Sequence, residues 1–340
     1  MKAVVIERPH RASWREVEAP SVGPYDVLVR SREAGLCRTD IEMMTGEFTD
    51  PRWVRYPLIP GHEWSGTVVE VGSGVAATSV GDRVVCEGFI ACHRCRRCRA
   101  GETHWCENIE ALGFTRPGGY AELVAVPEEV VHSLPDHVSF DAGVLIEPAS
   151  VVMNGLAKAR PAPGEVVGVI GVGTLGGVAI ELLKLYSPSR IVAFGVREEE
   201  LTFARQLGAA DAVLVRTETP AAEIGAEFDL VVETAGAPSA VRLATELCRP
   251  GGRAVLLGIA GEGRELTLPS DLLVGKEMAL IGSIAYPAHV WSRVVALVSD
   301  GVVRLDPVVT HRFPASRFED AVRLMDERQG IVAKIVLEHT

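Results

Sequence analysis

Val166-Val167-Gly168-Val169-Ile170-Gly171-Val172-Gly173-Thr174-Leu175-Gly176 reads as a buried strand that runs into a glycine-rich turn and opens a helix. Its first five residues are apolar apart from one glycine, as expected of a strand covered on both faces. In such a turn Gly171 supplies the tight backbone angles, Gly173 lets a pyrophosphate approach the main chain, and Gly176 permits close helix packing. Thr174 and Leu175 then begin a helix whose N-terminus faces the anion. An isolated Gly-x-Gly-x-x-Gly is a weak signal, but its place between strand and helix strengthens it. A tight turn with no ligand is the competing reading.

Apolar strands and helix-length segments alternate from about Phe140 onward: Ile191–Phe194, Glu198–Leu207, Leu230–Val232, Ser239–Cys248 and Ala254–Leu257. This alternation predicts an α/β fold with a doubly wound parallel sheet, placed at residues 151–285. Residues 1–150 carry short β-branched runs punctuated by Gly, Pro and Asp, which predict a mainly antiparallel β domain. Residues 286–340 hold amphipathic stretches at His289–Ser299 and Phe318–Met325 and a strand at Val332–Leu337, expected to return to the first domain.

The strand Ile191–Phe194 ends in Gly195-Val196-Arg197. An NAD site places an acid there for the ribose hydroxyls. Gly195 carries no carboxylate to repel a 2′-phosphate, and Arg197 carries a guanidinium that can pair with one, so NADP is expected in preference to NAD. Alternatively, Arg197 only opens the acidic helix turn Glu198-Glu199-Glu200.

The 340 residues are 47% apolar and 23% charged, which suits an ordinary globular protein. A net charge of −11 and scattered basic residues argue against a nucleic-acid partner. The most apolar stretch, Val166–Leu183, carries five glycines and Glu181, so no membrane span is expected. The N-terminal run reaches Glu7 and Arg8 before an export-signal core can form, and a cytoplasmic protein is expected. In that setting cysteine clusters favour metal ligation over disulfides.

Cys92, Cys95, Cys98 and Cys106 follow C-x2-C-x2-C-x7-C spacing, which fits four thiolates around a structural zinc. Arg94, Arg96, Arg97 and Arg99 are placed to offset the negative charge of such a site. An iron–sulfur cluster is the alternative. Three dispersed segments add Cys37-Arg38-Thr39-Asp40, Gly61-His62-Glu63 and Ile146-Glu147-Pro148. Taken singly, Cys37 reads as a small buried hydrophobe, His62 as a core histidine, and Glu147 as a helix-start carboxylate.

Together these segments, with Gly81-Asp82-Arg83-Val84, the four-cysteine lobe and the glycine turn, stand in the order found in zinc-dependent medium-chain alcohol dehydrogenases. The chain resembles that superfamily along essentially its whole length. It is most similar to the polyol branch, which includes sorbitol, butanediol, threonine and 2-deoxy-scyllo-inosamine dehydrogenases. The resemblance implies a GroES-like β domain carrying two zinc sites, a Rossmann domain, and a cleft between them. It implies that Cys37, His62 and Glu147 ligate a catalytic zinc, that Glu63 is an inner or exchanging ligand in a shell that water can otherwise complete, and that the four cysteines hold a structural zinc. Arg38 replaces a common glycine and is expected to alter the surroundings of Cys37, while Tyr286 falls where relatives approach nicotinamide or substrate, or else is a packed aromatic.

The implied reaction is reversible oxidation of a secondary alcohol to a ketone, with hydride passing to nicotinamide. A polyol, aminocyclitol or aminosugar is the implied substrate. Thr39 is placed to take the alcohol proton, unless its hydroxyl only satisfies a local turn. Domain closure would exclude water from the reaction. Similarity also implies a homodimer or homotetramer. Competing readings are a zinc-free quinone or enone reductase on the same fold and a non-catalytic nucleotide-sensing module; both leave Cys37, His62 and Glu147 without a purpose.

Overall fold

The computed structural model describes residues 1–216, 227–261 and 263–339. The chain forms two compact units, Met1–Glu147 together with Tyr286–Thr340, and Pro148–Ala285.

In Pro148–Ala285, six strands form one parallel sheet. Their order is Asp211–Leu214, Arg190–Gly195, Val166–Ile170, Phe228–Glu233, Cys248–Leu256 and Ala279–Gly282. Helices Thr174–Leu183, Glu198–Gln206 and Pro238–Leu247 follow three of the strands. The chain moves outward from Val166–Ile170 in one direction, then resumes on the opposite flank at Phe228–Glu233. That reversal leaves the glycine turn at the topological switch point of a Rossmann sheet. The central strands bury Val167, Val169, Leu230, Val231 and Val232, in keeping with their unbroken apolar runs. The two outermost strands, Asp211–Leu214 and Ala279–Gly282, have exposed ends and half-buried centres, and the sequence reading did not mark them. Half-covered edge strands lack the apolar run that identifies a central one.

The other unit is built on a seven-stranded sheet. Val309–Pro314, Lys334–Glu338, Asp26–Leu36, Trp64–Val71, Arg83–Cys86 and Val131–Ser133 lie in that order, and Leu123–Pro127 also pairs with Asp26–Leu36. The pairs are antiparallel except Val309–Pro314 with Lys334–Glu338. Ile335 opposite Leu36 carries the last strand into the sheet, and Ile335 and Leu337 are buried in the core with Val27, Val29, Leu36 and Trp64. The amphipathic stretch near residue 290 is a helix, Ala288–Ser299, burying Val290, Trp291, Val294 and Val298 at helical spacing. The second is the helix Phe318–Glu327, and the terminal strand starts two residues later than its sequence suggested. Among the described residues, no helix is long and apolar enough to cross a membrane.

The strand Asp26–Leu36 also sets the half-buried Glu33 beside Asp141 of the helix Phe140–Val144. Arg312 engages the Asp141 carboxyl, with Glu338 also nearby. Burial, reinforced by Asp141 and opposed by Arg312, pushes the Glu33 carboxyl up to about 8. Between its ordinary 4.5 and about 8, the folded chain holds a proton there that the unfolded chain has released. This contribution to stability is therefore fully present below pH 4.5 and is lost as pH rises through about 8. Glu33→Gln should leave denaturant midpoints near pH 4.5 almost unchanged and raise them above wild type near pH 8.5; the same offset at both values would contradict a proton held on Glu33 by burial.

Candidate active site

Cys37 closes the strand Asp26–Leu36 and caps the helix Arg38–Thr45, so its side chain is fixed where strand turns to helix. His62 follows Gly61, whose φ of 98° is a left-handed angle that favours glycine, and Glu63 leads directly into Trp64–Val71. Sheet pairing brings these distant segments together. One donor atom from each of Cys37, His62 and Glu63 lies within 4.8 Å of the others. Glu147, in the first turn of the helix Ile146–Ala159, is outside this close set but is buried within electrostatic reach of His62 and Glu63.

The surroundings hold these groups under tension between burial and charge. Burial pushes the Glu147 carboxyl up to about 7, His62 opposes this, and Glu63 adds to it. For His62, burial disfavours the charged ring, yet Asp40 and Cys37 outweigh burial and hold its pKa well above the usual histidine range. Asp40 Oδ1 is 3.5 Å from His62 Nδ1, and Asp40 Oδ2 accepts the Cys37 backbone N–H at 3.0 Å and the Tyr120 hydroxyl at 2.8 Å. On the other side, the buried Lys334 ammonium pairs with Glu63 Oε2 and donates to Leu36 O at 3.3 Å. A Cβ on Gly35 would meet that same Glu63 oxygen at 2.4 Å, so the missing side chain gives the carboxylate its space.

Thr39 Oγ1 lies 3.8 Å from Cys37 Sγ. Phe114 covers His62, with ring centroids 5.0 Å apart. Tyr286 is buried against Phe89 and Trp291, and its hydroxyl accepts the Gly88 N–H at 3.1 Å. The carboxylates of Glu147, Glu87 and Glu63 all act on that hydroxyl. Arg38 is the first residue of the helix that Cys37 caps. Its guanidinium is directed to Asp326 at 2.8 Å, with Glu42 and Glu47 at 3.7 and 3.8 Å.

The four cysteines form a separate lobe. One sulfur each from Cys92, Cys95, Cys98 and Cys106 lies within 4.8 Å of the others. Backbone amides point at them: Cys92 N donates to Cys106 Sγ at 3.2 Å, and Cys98 N donates to Cys95 Sγ at 3.4 Å. Amides of Arg94 and Cys95 favour the Cys92 thiolate, bringing its pKa down to about 6. Four sulfurs with amide donors suit a closed zinc site, whereas sulfur, imidazole and carboxylate donors suit a catalytic one. The lobe also reaches the returning chain, since Thr103 Oγ1 accepts the Ala288 N–H at 2.8 Å.

In the other unit, Gly171 has φ 89°, and a Cβ on Gly176 would fall 1.9 Å from Gly171 O. Both glycines are required by the chain itself. At Gly173 a Cβ would meet nothing within 4 Å, and its backbone is extended, so neither packing nor backbone angle requires glycine there. The open main chain there leaves room for a ligand to approach, at the N-terminus of the helix opened by Thr174 and Leu175. These residues fit a dinucleotide.

Beyond the next strand, the expectation of a carboxylate-free end needs correction. Glu200, three residues into its helix, turns back so that Oε2 accepts the Val196 N–H at 2.9 Å, while Oε1 takes Arg197 Nη2 at 2.8 Å. A Cβ on Gly195 would meet that carboxylate at 2.9 Å. Strand position alone missed Glu200 because the acid arrives from the helix. Asp40, Tyr120 and Lys334 were also missed as site residues. Asp40 stood visibly three residues after Cys37, but Lys334 is 271 positions from Glu63, with no local pattern to link them.

Family comparison agrees with this anatomy. Residues 23–136 match the alcohol dehydrogenase GroES-like domain, and residues 174–300 match the zinc-binding dehydrogenase domain. The chain belongs to the zinc-type medium-chain alcohol dehydrogenases and is an oxidoreductase. It is 33% identical to D-arabinitol dehydrogenase 1 of Uromyces fabae over 97% of this chain and 95% of that one. It is 36% identical to L-threonine 3-dehydrogenase of Symbiobacterium thermophilum over 98% and 95%. A zinc-binding dehydrogenase of Sinorhizobium meliloti, solved bound to NADP, superposes with a TM-score of 0.92 at 27% identity, covering 99% of each chain.

Proposed function

We propose that this dehydrogenase transfers hydride between NADP(H) and a secondary alcohol bearing a neighbouring hydroxyl or amino group, giving the ketone. A polyol, aminocyclitol or aminosugar is the proposed substrate class. The observation that carries the reading is the convergence of Cys37, His62 and Glu63 within 4.8 Å, with Glu147 buried alongside. Cys37, His62 and Glu147 would hold a catalytic zinc, with Glu63 as an inner or exchanging ligand, and Cys92, Cys95, Cys98 and Cys106 a structural zinc. When bound, zinc supplies a Lewis acid that eases loss of the alcohol proton, and the nicotinamide supplies the hydride acceptor.

The chain's own residues supply the rest. Asp40 orients the His62 ring through Nδ1, and Lys334 retains one oxygen of Glu63. Thr39, beside Cys37, hydrogen-bonds the substrate hydroxyl and relays its proton, giving up its own to the coenzyme ribose or to water. The Tyr286 hydroxyl accepts from Gly88, which leaves its own proton for a polar substituent of the substrate. D-arabinitol and L-threonine, named in the two relatives, each carry a secondary alcohol beside a polar group, which supports the substrate class. The donor set opposes a zinc-free reductase and a nucleotide sensor alike.

NADP preference rests on Gly195 and Arg197, with the Glu200 pairing expected to keep it modest. A homodimer or homotetramer is supported by the exposed edge strand Ala279–Gly282 and by Val274, 78% exposed in the preceding helix Ser270–Gly275.

Metal analysis should return about two zinc ions per chain, one lost in His62→Ala and the other in Cys95→Ser. His62→Ala should also cut turnover across a panel of polyols, hydroxy amino acids and aminocyclitols by more than about a hundredfold, since even outer partners of metal ligands cost 10–100-fold. Undiminished turnover with a single thiolate-bound zinc would defeat the catalytic-metal reading. For the coenzyme, Arg197→Asp should shift the NADP-to-NAD ratio of kcat/KM towards NAD by about tenfold, equivalent to ~1.4 kcal/mol; an unaltered ratio removes Arg197 from selectivity. Sedimentation should show Val274→Asp displaced towards monomer, and a wild-type chain that is already monomeric would refute assembly through this edge.

A further inference from the structure

Asp40 is fully buried and serves two of the candidate zinc ligands at once. Its Oδ2 accepts the Cys37 backbone N–H, and its Oδ1 faces His62 Nδ1. One other side chain donates a hydrogen bond to Asp40 among those described here: the Tyr120 hydroxyl, at 2.8 Å. That hydroxyl also lies 3.0 Å from Gly35 O, but it has one proton to give, and the ionised carboxylate is the stronger acceptor.

Tyr120 meets the His62 segment by a second route. Its ring packs on the turn before His62 so closely that a Cβ on Gly61 would lie 2.4 Å from ring Cδ1. Its backbone N–H donates to Pro60 O at 3.1 Å, and the Gly119 N–H donates to Gly61 O at 2.7 Å. The ring and main chain therefore locate the turn, and the hydroxyl locates the carboxylate that aligns Cys37 and His62. Removing the hydroxyl while keeping the ring separates these two duties.

We infer that Tyr120 is a positioning residue of the candidate metal centre, acting through Asp40 on both Cys37 and His62. The inference rests on the proposed zinc reading. Without the hydroxyl, Asp40 Oδ2 keeps only the Cys37 amide, and the carboxylate can rotate away from His62 Nδ1. The ligands are then less well aligned, although none of them has been changed.

The full chain, loaded with zinc, can be challenged with a chromogenic chelator, following the zinc ion that is absent from His62→Ala. Tyr120→Phe should release that ion about tenfold faster while the four-thiolate zinc leaves at its wild-type rate. Cobalt(II) placed in the same site should show shifted visible bands in Tyr120→Phe. In the Asp40→Asn background, adding Tyr120→Phe should change neither release nor spectrum further. Release within twofold of wild type, or effects of the two substitutions that simply multiply, overturns the inference. Should Tyr120→Phe fail to fold, Asp40→Asn still decides, because unaltered release in that variant removes the only route proposed. A wild-type chain carrying one zinc, held by thiolates alone, instead refutes the underlying zinc reading and the inference with it.

Discussion

The concentration of acidic groups in a buried place is the constraint from which the site takes its character. Cys37, Asp40, Glu63 and Glu147 each act electrostatically on His62, on Lys334 or on both, and Glu63 and Asp40 also act on Glu147. Burial penalises every charged form, and isolated carboxylates in a low-dielectric interior are costly. Lys334 is itself buried against that penalty, and Glu63 with Cys37 outweighs it and holds the ammonium charged. The excess of acids over bases is what a divalent cation would relieve. Thus the same arrangement that would be a liability in an ordinary core is well matched to metal binding.

The Lys334–Glu63 pair reaches across the strand Asp26–Leu36. Lys334 opens the last strand of the sheet and Glu63 stands just before another, with Asp26–Leu36 lying between those strands. Gly35, on that middle strand, leaves room for the contact to pass across it. The returning chain therefore supplies a charge as well as a strand. A hydrophobic residue at position 334 would pack, but it would leave the Glu63 carboxylate buried without its cation.

Much of the architecture was legible because it is written in local patterns. The run Val166–Ile170 followed by Gly171, Gly173 and Gly176 carries strand, turn and helix in eleven consecutive residues. The four cysteines were equally plain, since the ligands of their lobe fall within fifteen positions. The dispersed site was recognisable only as an ordered set of segments, because nothing local distinguishes His62 as a ligand from a buried core histidine. Its supports were harder still. Tyr120 reaches Asp40, and Lys334 reaches Glu63, across separations that no spacing encodes, and Glu200 reaches Val196 by curling back from the following helix. Side-chain reach, as distinct from chain position, is what the sequence left unwritten.

The contact between Thr103 and Ala288 gives the cysteine lobe a reach beyond its own loop. Ala288 begins a helix, and Tyr286 lies two residues before it. The loop that carries the four cysteines thus serves as a berth for a segment nearly two hundred residues downstream, the one that carries Tyr286. Disturbance of the lobe would travel to Tyr286 along the backbone of the returning chain, bypassing the hydrophobic interior. The cysteine cluster is therefore a remote mooring for the segment that carries Tyr286 as well as a fastening for its own loop.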